Sequence, residues 1–205
     1  MNFITFKKQM FPLGVWTLDQ VRAWRPDFEV ANLGGWLKKG YVLRLRQGVY
    51  TFTDYAEMPG IGMFFAGRMY VPSYLSLEYA LAVHGLIPES VVQYTSVTSL
   101  KTKSFKNAFG EFHYRSVKPD LMFGFAPRLV SGKFYVDFAS PAKALCDILY
   151  LDSFYGTAAA MEELRLDQDV LEEAVSGEDL DRVCSRFGSA ALARRVKTLK
   201  KVYSL

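Results

Sequence analysis

The sequence contains few cysteines and few histidines, which excludes several classes of site. Only Cys146 and Cys184 occur among 205 residues, and each lies in an apolar pattern with helical spacing. This argues against the disulfide framework of small secreted domains and indicates a reduced, cytoplasmic setting. With two histidines as well, no cysteine and histidine cluster has metal-ligand spacing. The sequence predicts neither a metal nor a cofactor.

Long uncharged apolar runs are also missing. The longest candidates are interrupted by Glu78, Pro88 and Glu89, whereas a membrane helix needs about 20 mainly apolar residues. No basic segment followed by an apolar one opens the chain. We therefore expect neither a membrane span nor an export signal.

Catalytic motifs are scarce. Pro119-Asp120 could begin a nuclease site, but no Asp or Glu is followed two residues later by lysine, so the Mg²⁺-binding triad is incomplete. The Asp-x-Asp pairs at 167–169 and 179–181 lie in polar helical sequence instead of on a strand. Phosphate-binding and dinucleotide-binding glycine motifs are absent as well. The sequence predicts a protein that is not an enzyme.

What the chain does contain is an uneven distribution of charge. The net charge is +4 for 1–55, +2 for 56–139, −8 for 140–185 and +6 for 186–205. A basic N-terminal segment suits a polyanion, whereas an acidic segment followed by a basic tail suits internal pairing or a charged protein partner.

Two short helices are predicted near the N-terminus. Phe3, Phe6 and Met10 recur at helical spacing. Thr17 and Gln20 can form a capping box, in which each side chain accepts a hydrogen bond from the other residue's backbone amide. A second helix should therefore follow Thr17 and end before the proline at position 26.

A third helix should follow, with Asp27 as its cap and Val30, Leu33 and Leu37 on its buried face. Gly40 is placed to end it in the left-handed conformation. Glycines at 34 and 35 interrupt this helix, and each costs about 1 kcal/mol relative to alanine. Either the helix begins late or close packing requires the missing side chains.

Alternating residues from 41 to 46, a Gln47-Gly48 turn and a returning strand predict a two-stranded ribbon. A helix followed by a basic ribbon is typical of a winged helix-turn-helix that binds double-stranded DNA. We therefore predict such a domain over 1–56, with Asn32 reading a base edge and the cations contacting phosphates. The predicted DNA-binding residues are Asn32, Trp36, Lys38, Lys39, Arg44, Arg46 and Gln47.

The residues from 63 to 205 predict an α+β domain. A helix opens after 72, capped by Ser73 or Ser76; three alternating segments between 91 and 139 predict a mainly antiparallel sheet; helices follow from Ser140. Its cations could contact DNA or a partner, although the loop at 101–106 could simply be solvated, and the last helix could instead pack on the acidic helices. They are Lys101, Lys103 and Lys106 in that loop, and Arg194, Arg195, Lys197, Lys200 and Lys201 on the helix.

Four motifs in a fixed order, at 37–50, 72–89, 109–114 and 139–147, resemble those of the AbiEi-type antitoxins of type IV toxin-antitoxin systems. The likeness spans roughly residues 15–152. It implies an N-terminal winged helix that binds inverted repeats in its own promoter and represses it, and a C-terminal antitoxin domain that counteracts a nucleotidyltransferase toxin. The resemblance assigns DNA contact to Asn32, Lys38, Lys39, Arg44 and Arg46, and no catalytic residue.

Two alternatives remain open on the sequence. The protein could be a non-catalytic interaction module whose winged helix docks protein instead of DNA, or a regulator without a cognate toxin. The motif positions at Ser73, Tyr74, Ser76 and Glu78, and the Lys143–Asp147 pair, are interpreted as structural.

Overall fold

The computed structural model describes all 205 residues and contains two β-sheets with ten α-helices. A three-stranded antiparallel sheet lies in the N-terminal part, and a six-stranded mixed sheet lies in the remainder. This confirms the predicted α+β class. None of the ten helices combines the length and the apolar character that crossing a bilayer requires.

The N-terminal part alternates helices with short strands. Its elements are α1 Phe3–Met10, β1 Val15–Thr17, α2 Leu18–Trp24, α3 Val30–Lys38, β2 Val42–Arg46 and β3 Val49–Phe52. The strand order is β1-β3-β2. The predicted capping box is confirmed, because the Gln20 amide donates to Thr17 Oγ1 at 3.3 Å and the Thr17 amide donates to Gln20 Oε1 at 2.8 Å.

The start of α3 differs from the prediction. Asp27 does not cap the helix; it accepts a hydrogen bond from Arg25 Nε at 3.0 Å, and this bond lowers the pKa of the Asp27 carboxyl. The helix begins at Val30, and Glu29 precedes it without a side-chain cap. Its predicted end is confirmed, since Gly40 has φ +69°.

The second part contains the larger sheet and seven helices. Its elements are α4 Ile61–Met69, β4 Ser73–Leu75, α5 Leu77–Val83, β5 Tyr94–Thr98, β6 Lys103–Asn107, β7 Gly110–Ser116, β8 Phe125–Val130, β9 Phe134–Ala139, α6 Pro141–Leu151, α7 Ala158–Glu162, α8 Gln168–Ala174, α9 Gly177–Ser185 and α10 Ala190–Val202. The sheet order is β6-β7-β5-β4-β9-β8. Three of its five strand pairs are antiparallel, and β4–β9 and β5–β7 are parallel.

The helix predicted after 72 starts at the later of its two predicted cap positions, Ser76, and the loop predicted at 101–106 is wrong. The segment 73–75 is strand β4, so α5 begins only at Leu77, one residue after Ser76. The basic loop at 101–106 is mostly the edge strand β6, because Phe105 pairs with Phe112 across a tight hairpin at 107–110. Its apolar residue is thereby partly covered, and its lysines stay at the sheet edge.

Helix α4 joins the two sheets. It contacts β1 and β2 on one side and β4, β5, β8 and β9 on the other. Glycines permit this approach, because a Cβ at Gly62 would overlap the Tyr94 ring and a Cβ at Gly67 would overlap Val136. The predicted boundary at 56–63 falls between the sheets, while a single hydrophobic core runs through it from Phe6 to Tyr203.

Candidate nucleic-acid interface

Aromatic packing fixes α3 against the small sheet. The Phe6 ring lies 4.6 Å from Trp36, 5.6 Å from Phe28 and 5.0 Å from Trp16, measured between centroids. Trp36 is only 7% exposed. It is therefore a core residue, and the prediction that it contacts DNA is wrong.

The burial of Trp36 also rotates the helix relative to the prediction. The buried face consists of Leu33 and Trp36, whereas Val30 is 43% exposed. Asn32 is half-buried, and its amide nitrogen is enclosed without a hydrogen-bond partner. That Asn32 reads a base edge stays a prediction, and it requires this side chain to turn outward.

The glycine pair lies inside the helix, so neither predicted explanation holds. The helix begins four residues before Gly34, and a Cβ built at Gly34 or Gly35 would have no heavy atom within 4 Å. Nothing inside the protein requires these glycines. Their effect is to leave part of the helix surface as bare backbone, open to close approach by another molecule.

The end of α3 presents two cations. Gly40 and Tyr41 close the helix, because their amides donate to Leu37 O and Trp36 O at 3.1 and 3.0 Å. Lys38 and Lys39 lie at this end, both exposed and neither in an ion pair.

The ribbon directs its two arginines differently. A register shift between Arg44 and Arg46 buries Leu45 and separates the arginines. Arg44 is exposed and has no partner, and Gln47 is exposed at the turn. Arg46 is half-buried; its Nε donates to Met69 O at 2.5 Å and its guanidinium lies 5.7 Å from the Phe105 ring. Arg46 therefore links the two parts of the protein and is not free for a phosphate.

Strand β6 lies beside this ribbon. Asn107 Nδ2 donates to Leu45 O at 3.0 Å across 62 positions of sequence. Lys101 and Lys103 are exposed at the same edge, whereas Lys106 is paired with Glu111 at 2.6 Å. The structure thus adds two exposed cations to the ribbon side of the molecule. No local pattern in the sequence indicates Asn107, because its partner Leu45 is distant along the chain.

Helix α10 divides its cations between the protein and solvent. Lys200 pairs with Asp181 of the acidic helix α9 at 2.8 Å, as the packing alternative predicted, whereas Arg195 Nη1 donates to Leu149 O of the core helix α6 at 2.7 Å. Arg194, Lys197 and Lys201 are exposed and unpaired. The packing alternative is confirmed for Lys200, whereas contact of the exposed cations with DNA or a partner stays a prediction.

The Lys143–Asp147 pair is sealed in the core, in line with its structural interpretation. Lys143 Nζ lies 2.5 Å from Asp147 Oδ1, and both side chains are 0% exposed. Tyr74 and Ser76 both donate to Asp147 Oδ2, at 3.0 and 2.8 Å. Burial raises the pKa of Asp147 and lowers that of Lys143, and each charge opposes the shift of the other. The cluster ties β4 to α6 and is closed to ligands.

A serine, a histidine and a glutamate also lie in line on β6 and β7. Ser104 Oγ is 2.9 Å from His113 Nδ1, and Glu111 is 3.7 Å from His113 Nε2. Ser104 and His113 are cross-strand neighbours, and Lys106 occupies the Glu111 carboxylate. The register of the hairpin alone accounts for this alignment.

No protein-family model matches this chain, and no curated protein matches it.

Proposed function

We propose that residues 1–56 form a winged helix-turn-helix and that the protein is a DNA-binding transcriptional regulator. The order α1-β1-α2-α3-β2-β3 supports this, with α3 as the helix for the major groove and the β2–β3 ribbon as the wing. The observation that carries the proposal is that Lys38, Lys39 and Arg44, at the end of α3 and on the ribbon, are exposed and lack carboxylate partners.

Salt dependence follows from this surface. Duplex DNA carries one charge per roughly 1.7 Å, and each neutralised phosphate adds about 0.9 to the slope of log affinity against log salt. Three free cations therefore contribute roughly 2.7 to that slope. The bare helix surface at Gly34 and Gly35 allows the helix backbone to approach the groove.

The experiment is a titration with the DNA upstream of the protein's own gene at several salt concentrations. The variant Lys38→Gln/Lys39→Gln/Arg44→Gln should lose most of its affinity and about 2.7 of the slope. A charge-matched control, Lys118→Gln/Arg128→Gln/Arg186→Gln, removes three exposed cations that lie outside 1–56 and form no ion pair. DNA binding that does not depend on salt, or an equal loss of DNA affinity in the variant and the control, would contradict the proposal. Salt-insensitive binding would favour the alternative in which the winged helix docks protein.

Within that proposal, the protein acts as the antitoxin of a type IV system, repressing a promoter with inverted repeats and counteracting a nucleotidyltransferase toxin. The four ordered motifs support this assignment. Cells that express a nucleotidyltransferase encoded in the neighbouring reading frame should stop growing, and co-expression of this protein should restore their growth. A toxin that kills equally with and without the protein, while DNA binding persists, would instead support a regulator without a toxin.

A further inference from the structure

A basic groove runs between α10 and the segment 156–162. Its volume is about 1130 Å³, and its lining includes Arg194, Lys197 and Lys201 opposite Gly156 and Thr157. It lies on the six-stranded part of the protein and shares no residue with the α3 and ribbon surface. The proposed DNA binding makes no use of it.

The free cations of the groove form one row. Arg194, Lys197 and Lys201 are three and four residues apart, so they share one face of α10. They span roughly 10.5 Å along the axis, which equals about three steps between successive phosphates of a stacked strand, at roughly 3.4 Å per step. No carboxylate forms an ion pair with any of them, whereas Lys200 on the same helix is paired with Asp181.

An exposed aromatic residue comes shortly before the groove in sequence. Phe154 is 53% exposed and precedes Gly156 of the groove by two residues. Its only aromatic neighbour is Tyr155, at 5.3 Å in an edge-on arrangement. Basic grooves with exposed aromatics are the usual means of holding single-stranded nucleic acid, because phosphates meet the cations and an unpaired base stacks on the ring. A duplex offers no unpaired base.

One carboxylate also lines the groove. Glu162 is exposed, makes no ion pair and faces the same space as the cations. A carboxylate repels phosphates, but it can accept a hydrogen bond from a ribose 2′-hydroxyl, which DNA lacks. The contribution of Glu162 should therefore differ between RNA and DNA.

From these observations we infer that the α10 groove binds single-stranded RNA. Lys197 and Lys201 contact phosphates, Phe154 stacks on a base and Glu162 accepts from a 2′-hydroxyl. This goes beyond the proposed function and does not depend on it.

The test uses the full chain carrying Lys38→Gln/Lys39→Gln/Arg44→Gln, so that the proposed DNA surface is silent. Labelled oligouridine of about ten nucleotides and its deoxyuridine equivalent are titrated, a length within the range that such sites cover. RNA should bind more tightly than DNA. Lys197→Gln/Lys201→Gln should weaken RNA binding about tenfold and reduce the salt slope by about 1.4, at roughly 0.7 per phosphate. The control Lys8→Gln/Lys118→Gln should leave both unchanged.

Two further variants examine the other contacts. Phe154→Ala should weaken binding of both oligonucleotides about tenfold through lost stacking. Glu162→Ala should abolish the preference for RNA while DNA binding holds or rises. Absence of RNA binding, equal loss in the control, or equal affinity for RNA and DNA before mutation would overturn the inference. The substituted side chains are exposed, so each variant should remain folded, which circular dichroism would check.

Discussion

Lysine side chains have opposite environments at the end of α3 and in the core of the larger sheet. Lys38 and Lys39 lie in solvent with no partner, whereas Lys143 is completely buried against Asp147 and lies 4.5 and 4.4 Å from the rings of Phe123 and Phe187. Lysine is thus an exposed, unpaired cation in one part of the protein and a buried member of a structural ion pair in the other.

This difference shows why net charge is a weak guide to function. The charge of a paired or buried cation is already neutralised by the protein, so that cation adds little to the affinity for a phosphate group. The exposed pair Lys106–Glu111 likewise removes one cation from the ribbon side. The cations on which the proposed DNA surface depends, Lys38, Lys39 and Arg44, are exposed and unpaired.

The largest expected effect comes from breaking the buried pair. Asp147→Ala leaves the Lys143 charge in the core and removes the acceptor of Tyr74 and Ser76. We expect the free energy of unfolding to fall by about 3–5 kcal/mol, measured by urea denaturation.

The double variant Lys143→Met/Asp147→Leu serves as the control for this measurement. It fills a similar volume without a charge, so it should recover most of the loss. A fall of less than roughly 1.5 kcal/mol in Asp147→Ala would mean that the pair contributes no more than an ordinary hydrogen bond.

The two arginines of the ribbon should separate binding from stability. Arg46→Gln removes the bonds to Met69 O and Gln47 O, so we expect a loss of about 1–2 kcal/mol in unfolding free energy with DNA affinity nearly unchanged. Arg44→Gln should have the opposite profile, with unchanged stability and a salt slope lower by about 0.9. Equal effects of both variants on DNA affinity would show that Arg46 leaves Met69 on binding.

Local signals in the sequence were sufficient for much of the fold. The Thr17 capping box, Gly40 at the end of α3 and Ser140 at the start of α6 depend on neighbours in the chain, and each is confirmed. The apolar row Leu192, Val196 and Leu199 also places α10 correctly.

The errors arose where distant contacts decide. Trp36 is buried because Phe6 and Phe28 cover it. Arg46 is not free because its Nε donates a hydrogen bond to Met69 O at the end of α4. Periodicity alone does not reveal such neighbours. The unpaired state of Lys38, Lys39 and Arg44 likewise became evident only from the three-dimensional arrangement.

The glycines of α3 should show a gain in stability with a loss of binding. Gly34→Ala adds a Cβ into open space, so the unfolding free energy should rise by about 0.5–1 kcal/mol. The same methyl group keeps the helix from approaching DNA, and affinity should fall. Gly35→Ala, at a half-buried position, is the matched comparison. If Gly34→Ala binds DNA as tightly as the native protein, the ribbon alone makes the contact.

The smallest expected effect concerns the ion pair that does exist at the small sheet. Lys7 Nζ donates to Asp54 Oδ1 at 2.6 Å, and this bond lowers the pKa of Asp54. Because the folded pKa is the lower one, the stabilisation is complete above about pH 4 and is lost as the pH falls through the folded pKa.

Both side chains of that pair are substantially exposed, so the contribution should be only a few tenths of a kcal/mol, roughly the range of surface pairs. Melting temperatures of the native protein and Asp54→Asn should differ slightly at neutral pH and converge below about pH 4. Salt at roughly 1 M should narrow the neutral-pH difference, because screening then acts within about 3 Å. A difference that widens on acidification would mean that the Asp54 carboxyl stabilises the fold in its protonated form, without the charge of Lys7.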